Sequence, residues 1–322
     1  MLDPRYRMRP FTKKDLPAQT SILNRLTPDR PVTLEEVVRD DEFVHIPPMI
    51  CHQYAVEEVA SGQLVATGGT ITPPDSIGQG SFWVGADVDP DHQGRGIGRE
   101  LARVLEAKVR EIGGVRLWAS TRADRPREVR FLQRLGFVEK LRNWQSRLDL
   151  RAFGRRVSDR TVPNDVEFTT LAAEGATDGV VIDRVYDLAA ATFGDAPRLG
   201  AYVPPTREQF VGMMLNGPGF LPEGFLLARV GTRYVGMSNL ERIPSEPDTL
   251  HQLFTATRRE FRGRGIATEL KHRGIRFAQE RGYRFLRTEN DSLNAGIWSI
   301  NARLGFQRER ELVLGVKELE TG

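Results

Sequence analysis

Apolar positions along this chain alternate between strand-like and helix-like periods, and the whole series then runs a second time. Ser81–Val88 and Gln252–Thr257 are apolar runs suited to buried strands, and each leads into a glycine-punctuated turn. A helix is expected next, over Gly98–Ile112 and over Ala267–Arg281. Leu101, Val104, Leu105 and Val109 fall at helical spacing in the first, and Leu270, Ile275, Phe277 and Ala278 less cleanly in the second. Gly113-Gly114 and Gly282 are natural helix stops. Val115–Ser120 and Tyr283–Thr288 read as the following strands. Arg127–Leu135 and Leu293–Leu304 read as second helices, each ending at a Gly-Phe. Upstream, Tyr54–Ala60 and Leu64–Ile71 flank Ser61-Gly62 as a hairpin, and Leu226–Val230 and Tyr234–Leu240 flank Gly231-Thr232 in the same way. Helical stretches precede each hairpin: Asp15–Leu26 with Leu34–Asp41, and Ile182–Phe193 with Arg207–Leu215.

The repeat is metrical as well as qualitative. Gln93 stands 44 positions before Phe137, and Arg262 stands 44 before Phe306 (137 − 93 and 306 − 262). Two copies of domain length indicate a duplicated domain, not a solenoid. The expected organisation is an α/β lobe over residues 1–149, an Arg-rich linker over 150–164, and a second lobe over 165–322. In each lobe a mixed, mostly antiparallel sheet is flanked by helices.

Composition narrows the class. With 39% hydrophobic and 28% charged residues in 322, both lobes have enough apolar material for a core. A formal net charge of +3, with the arginine clusters lying inside patterned segments, does not suit nucleic acid or a membrane surface. The single cysteine, Cys51, excludes an internal disulfide and a cysteine-built zinc site, and a buried structural thiol is its commoner role. No apolar leader or run of about 18 apolar residues is present, so a cytoplasmic location is expected.

The glycine turns carry the candidate chemistry. In Gln93-Gly94-Arg95-Gly96-Ile97-Gly98 and Arg262-Gly263-Arg264-Gly265-Ile266-Ala267, a strand ends and a helix begins. Free N–H groups at such a helix start, reached across glycines, suit a phosphate. The Gly-Lys-Ser/Thr of a nucleoside triphosphate loop is absent. The Gly-x-Gly-x-x-Gly dinucleotide spacing also fails, because Arg99 follows Gly98.

At these residues the chain resembles the GNAT superfamily of acyl-CoA N-acyltransferases. Val88-Asp89-Pro90-Asp91-His92-Gln93-Gly94-Arg95-Gly96-Ile97-Gly98 matches that family's Val-x-Pro-x-x-Gln/Arg-Gly-x-Gly-Ile/Leu-Gly/Ala motif. Thr257 to Ala267 matches it with Thr257 at the Val position and Arg259 at the Pro position, and Leu135-Gly136-Phe137 and Leu304-Gly305-Phe306 match a second motif. The resemblance implies acetyl-CoA as co-substrate, with its pyrophosphate on the turns and its pantetheine arm in a gap beside the strands ending at Val88 and Thr257. It also implies a cofactor contact from Asn294, whose lobe-one counterpart is Arg125. The family's usual tyrosine acid is replaced by Leu132 and Asn301, five positions before Phe137 and Phe306. A base sometimes stands eleven positions before the Gln/Arg of the turn, where the chain has Phe82 and His251. His251 is therefore the candidate base of a catalytic lobe two, with Glu241 the alternative. Lobe one is then a degenerate or structural copy. The expected reaction is acetyl transfer to a primary amine of a small molecule by a monomeric enzyme without metal. A non-catalytic acetyl-CoA sensor and a protein or peptide N-acetyltransferase are the alternatives.

Overall fold

The computed structural model describes residues 2–73, 79–154, 162–195, 202–217 and 219–319. The chain divides into two α/β units, Met1–Lys140 with Val313–Gly322, and Leu141–Leu312. Unit 2 is one continuous stretch, whereas unit 1 is made of two separate stretches. Part of the expected linker, 155–161, lies outside the described residues, as do 196–201 and 218 in the segment before the second hairpin.

In unit 1, β1 (Tyr6–Pro10) is followed by α1 (Leu16–Leu26) and α2 (Leu34–Val44). The hairpin is β2 (Cys51–Glu58) and β3 (Leu64–Ile71), and the strand into the glycine turn is β4 (Ser81–Val88). Then come α3 (Ile97–Glu111), β5 (Arg116–Arg122), α4 (Pro126–Arg134) and the start of β6 (Val138–Asp149). Strands β1 to β4 pair in order and antiparallel, and β4 pairs with β5 in parallel. Ile97, Leu101, Leu105 and Val109 recur every fourth residue, so one stripe of α3 is wholly buried against the sheet. Each such Leu contributes about 2 kcal/mol by leaving water. The opposite sheet face is covered by α1 through Ile22, against Ala55 and Leu64. A strand from far along the chain completes the unit. Leu319 donates its N–H to Val115 at 2.8 Å and joins the cluster of Phe82, Val109, Leu117 and Phe137.

Unit 2 repeats the plan. Its elements are the rest of β6, α5 (Leu150–Phe153), β7 (Glu167–Thr170), α6 (Leu171–Glu174), α7 (Gly179–Phe193), α8 (Arg207–Met214), β8 (Phe225–Val230) and β9 (Arg233–Arg242). There follow β10 (Thr249–Thr257), α9 (Ile266–Glu280), β11 (Phe285–Asp291), α10 (Ala295–Leu304) and the first half of β12 (Gln307–Glu318). β7 to β10 pair antiparallel, β10 and β11 pair in parallel, and β6 adds antiparallel to β11. Asp178 caps α7, and a Thr206–Gln209 capping box opens α8, each cap contributing about 1 kcal/mol. These two helices bury Val185, Leu188 and Phe210 on one sheet face, against Leu227 and Met237. On the other face α9 packs Ile275 and Ala278 on Leu250 and Leu286. Leu150 and Phe153, at the start of the expected linker, are buried in this second cluster. No helix among the described residues is long and apolar enough to cross a membrane.

Candidate active site

In each unit the central strand parts from its parallel neighbour. β4 pairs with β5 only through Ser81–Trp83, leaving Val84–Val88 unpaired on that side. β10 pairs with β11 only through Thr249–Gln252, leaving Leu253–Thr257 unpaired. The Asp89 N–H reaches Val65 at 2.9 Å, and the Arg258 N–H reaches Val235 at 2.9 Å. Along an antiparallel pair these bonds alternate, so the peptide groups of Ala86 and Val88, and of Thr255 and Thr257, turn into the gap. The turn itself uses one of them in each case. Gln93 Nε2 donates to the Val88 carbonyl and Arg262 Nε to the Thr257 carbonyl, both at 3.1 Å.

Beyond the gap the chain rises into a helix start. Gly94 and Gly96 have φ of 79° and 83°, and Gly263 and Gly265 have 76° and 79°. Side chains rarely adopt this left-handed region, which accounts for the four glycines. Gly96 and Gly265 are the N-caps of α3 and α9, and no side chain caps either end. Glu100 N–H is taken by the Gly96 carbonyl and Glu269 N–H by that of Gly265, so the N–H groups before them have no partner within the helix. Ile97 and Ile266 bury their side chains and offer only their peptide groups to a ligand. A methyl at Gly98 would meet Phe131 and Val88 at 3.6 Å, an ordinary contact, which explains how Ala267 serves in the second copy. Arg95 donates to the Tyr6 hydroxyl at 2.7 Å, and Arg264 lies over the Phe261 ring.

The two cradles differ in charge. In unit 1 the turn's carboxylates, Asp89 and Asp91, are met by Arg25 from α1 at 2.5 and 2.8 Å. In unit 2 the turn's cations, Arg259 and Arg262, are met by Asp195 just after α7 at 2.6 and 2.5 Å. The Arg259 guanidinium holds the Asp195 carboxyl below the usual carboxylate range.

The gap in unit 2 is lined with polar groups. Asn290 Oδ1 accepts from Asn301 Nδ2 at 3.3 Å and from Ser146 at 3.4 Å. Asn290 Nδ2, Asn301 Oδ1 and Thr257 Oγ1 are buried without a partner. Such atoms are costly unless a ligand satisfies them, so the cavity chemistry fits the amide-rich arm that the sequence motifs imply. Asn294 is the N-cap of α10, its Oδ1 accepting from Ile297 N–H at 3.3 Å, so that oxygen is engaged within the helix. Glu289 accepts from Gln145 at 3.1 Å, and Asp291 accepts from Leu293 N–H at 2.8 Å.

His251 and Glu241, read from the sequence as alternatives, are cross-strand partners on β10 and β9. His251 Nδ1 lies 3.0 Å from Glu241 Oε1, with both side chains mostly buried. A proton on Nδ1, held by the carboxylate, leaves Nε2 free to accept another. His251 sits one residue before the last rung to β11. Leu250 and Gln252 face α9, and His251 faces away from it.

Counting back from the turn made Phe82 the counterpart of His251, and the register corrects this. Leu253 is an extra residue in β10, a bulge between Gln252↔Leu240 and Phe254↔Asn239, whereas β4 pairs with β3 without a break. The rung His251↔Arg287 therefore corresponds to Trp83↔Trp118. Unit 1 places two tryptophans, with rings 5.7 Å apart, where unit 2 places a histidine and an arginine. Burial pushes the Asp87 carboxyl of unit 1 up to about 6, with Glu128 adding to the effect. Asp87 stands four residues beyond Trp83, about 13 Å along the strand.

Comparison with known proteins defines the family and the fold. The acetyltransferase (GNAT) family matches residues 19–137 and 183–306. The chain belongs to that family, with two copies of its domain in tandem. Over 101 residues it is 34% identical to an uncharacterised N-acetyltransferase of Methanocaldococcus jannaschii, a match covering 29% of this chain and 42% of that relative. A GCN5-related N-acetyltransferase from Sphaerobacter thermophilus superposes with a TM-score of 0.76 at 20% identity, over 100% of this chain and 98% of that one. A tandem GNAT protein from the clavulanic acid biosynthesis pathway does so with 0.76 at 19% identity, over 98% and 99%.

Proposed function

We propose that the protein transfers the acetyl group of acetyl-CoA to a primary amine of a small molecule, with turnover in lobe two. The observation that carries the lobe assignment is the His251–Glu241 pair beside the bulged strand, at the level where β10 and β11 part. Acetyl-CoA supplies an activated acyl group and a thiolate that leaves with little help. The chain's part is to hold and orient. The free N–H groups of Gly265–Thr268 face the pyrophosphate, and the peptides of Thr255 and Thr257 face the arm. His251 Nε2 takes a proton from the incoming ammonium, and Glu241 steadies the imidazolium that forms. Leu253 has no rung to β9 or β11, and its N–H is the donor assigned to the thioester oxygen. With Asn301 and Leu132 in place of a tyrosine acid, the thiolate draws its proton from solvent, and solvent takes the second proton that the nitrogen loses as the amide forms.

Lobe one keeps the cradle and the gap without a proton acceptor at the level of Trp83 and Trp118. It fits a second acetyl-CoA site without turnover, in a monomeric cytoplasmic enzyme. The sensor reading gains from the missing tyrosine in both lobes. CoA release across a panel of primary amines separates the two. His251→Ala should lower kcat/KM by roughly 10²–10⁴-fold. The assignment fails if His251→Ala leaves kcat/KM unchanged while Gly96→Glu abolishes turnover.

A further inference from the structure

Lys271, on the inner side of α9, is 2% exposed. Among the described residues no carboxylate pairs with it. Its Nζ donates to Gln252 Oε1 and lies 5.8 Å from the centre of the Phe306 ring. A buried lysine without a counter-ion is destabilising, and burial alone takes this amine down to about 7. What it touches explains its presence. Gln252 Nε2 donates to Ser238 Oγ at 3.1 Å, and Ser238 Oγ lies 2.9 Å from Thr255 Oγ1. Thr288 Oγ1 donates to the Gln252 carbonyl at 3.0 Å, and Asn239 Oδ1 accepts from Phe254 N–H at 3.1 Å. These bonds engage Gln252, Phe254 and Thr255, the residues on either side of the bulged Leu253.

Unit 1 is the control within the same chain. At the corresponding positions it has Ala102 for Lys271, Val84 for Gln252, Gly68 for Ser238, Ala86 for Thr255, Ala119 for Thr288 and Gly69 for Asn239. None of these side chains can make the bonds, and β4 has no bulge. The polar network and the bulge occur together in one unit and are absent together from the other.

We propose that Lys271 is a positioning residue for the transfer site of lobe two, holding Gln252 so that the bulge at Leu253 keeps its shape and His251 keeps its place beside the gap. The proposal rests on the reading that lobe two turns over. A misplacement of about 1 Å at a reacting centre costs on the order of 100-fold, and this gives the expected scale.

The test is the double variant Lys271→Met/Gln252→Leu, which gives unit 2 the apolar character of unit 1 at these positions. Its kcat should fall roughly 10–100-fold, with KM for acetyl-CoA within about twofold and the unfolding midpoint unchanged or raised. Lys271→Gln, which keeps a donor for Gln252, should retain most of the wild-type kcat. Selective ¹⁵N-leucine labelling reports the bulge directly, without turnover, and the Leu253 amide should move in the double variant and stay in Lys271→Gln. A double variant with wild-type kcat, or an unmoved Leu253 amide, overturns the proposal. Failure of the underlying reading shows separately, as full turnover in His251→Ala.

Discussion

Glutamate at Gly265 or Gly96 separates the cost to folding from the cost to binding. Both residues have φ near 80°, and a Cβ built on Gly96 meets no atom within 4 Å. At Gly96 steric crowding therefore contributes nothing, and at both positions the left-handed backbone costs about 1–2 kcal/mol. At about 2–4 °C per kcal/mol for a domain of this size, the unfolding midpoint drops by roughly 2–8 °C. Part of that is recovered, because a carboxylate beside free helix N–H groups is itself a favourable anion. The effect on a ligand is larger. The new side chain fills the cradle, and at about 4 Å from a phosphate its charge repels by about 1–4 kcal/mol in a partly wet site. That corresponds to a loss of affinity of about 5-fold to several hundredfold. Gly231 and Gly62, in the two hairpin turns, have φ of 56° and 69° and equally open space, so glutamate there repeats the strain away from any cradle. Calorimetric titration of acetyl-CoA into the four variants should give normal binding for Gly231→Glu and Gly62→Glu and loss of one site for each cradle variant. Wild-type stoichiometry and affinity in both Gly96→Glu and Gly265→Glu would refute the cradle assignment, and equal losses in the hairpin variants would refute the strain argument.

Two further outcomes follow from charge. Asp195→Asn releases Arg262 and Arg259 at the lobe-two cradle. Both arginines are substantially exposed, so the gain is below about 1 kcal/mol, a few-fold tighter acetyl-CoA binding at low salt that fades at high salt. The Lys271 amine sits at about 7 when folded against an ordinary value of 10.5. Between those values the unfolded chain carries the extra proton, so stability should rise with pH from about 7 to 10.5, by at most about 1.4 kcal/mol per unit. Denaturant titrations of wild type and Lys271→Met across that range should differ by this slope, and parallel curves would contradict it.

Most of the fold could be read in the sequence because its devices are local. Glycine stops, helical spacing and hairpin turns placed β4 at its observed bounds and α3 and α9 within one residue. Tyr6–Pro10 and Glu167–Thr170 escaped because strands of five and four residues with charged outer positions show little alternation. β6 and β12 escaped for a different reason. Each runs on from a charged stretch after the Gly-Phe, and the strand it pairs with is set by tertiary structure alone. At the candidate site, motif spacing marks both glycine turns and His251, and Glu241 comes from its place near the end of the preceding strand, β9. It could not find the bulge, because one extra residue in β10 is visible only once β9 supplies the register. Lys271 was hidden because a lysine on an amphipathic helix is ordinarily solvated, and only the packing of α9 shows that this one is enclosed.

The division of the chain into units also bears on the order of synthesis. The sheet of unit 1 has β5 as its last strand until Val313–Glu318 arrives. That segment leaves the ribosome roughly 175 residues after Phe137, which at about 5–20 residues per second is a delay of about 9–35 s. The lobe made first is thus the lobe finished last, and during that interval the backbone of Arg116–Arg122 is an open edge able to recruit any passing strand. A stop codon or a cut between the lobes would make this state permanent, so a nascent or truncated chain calls for chaperone protection at β5 in a way the finished chain does not.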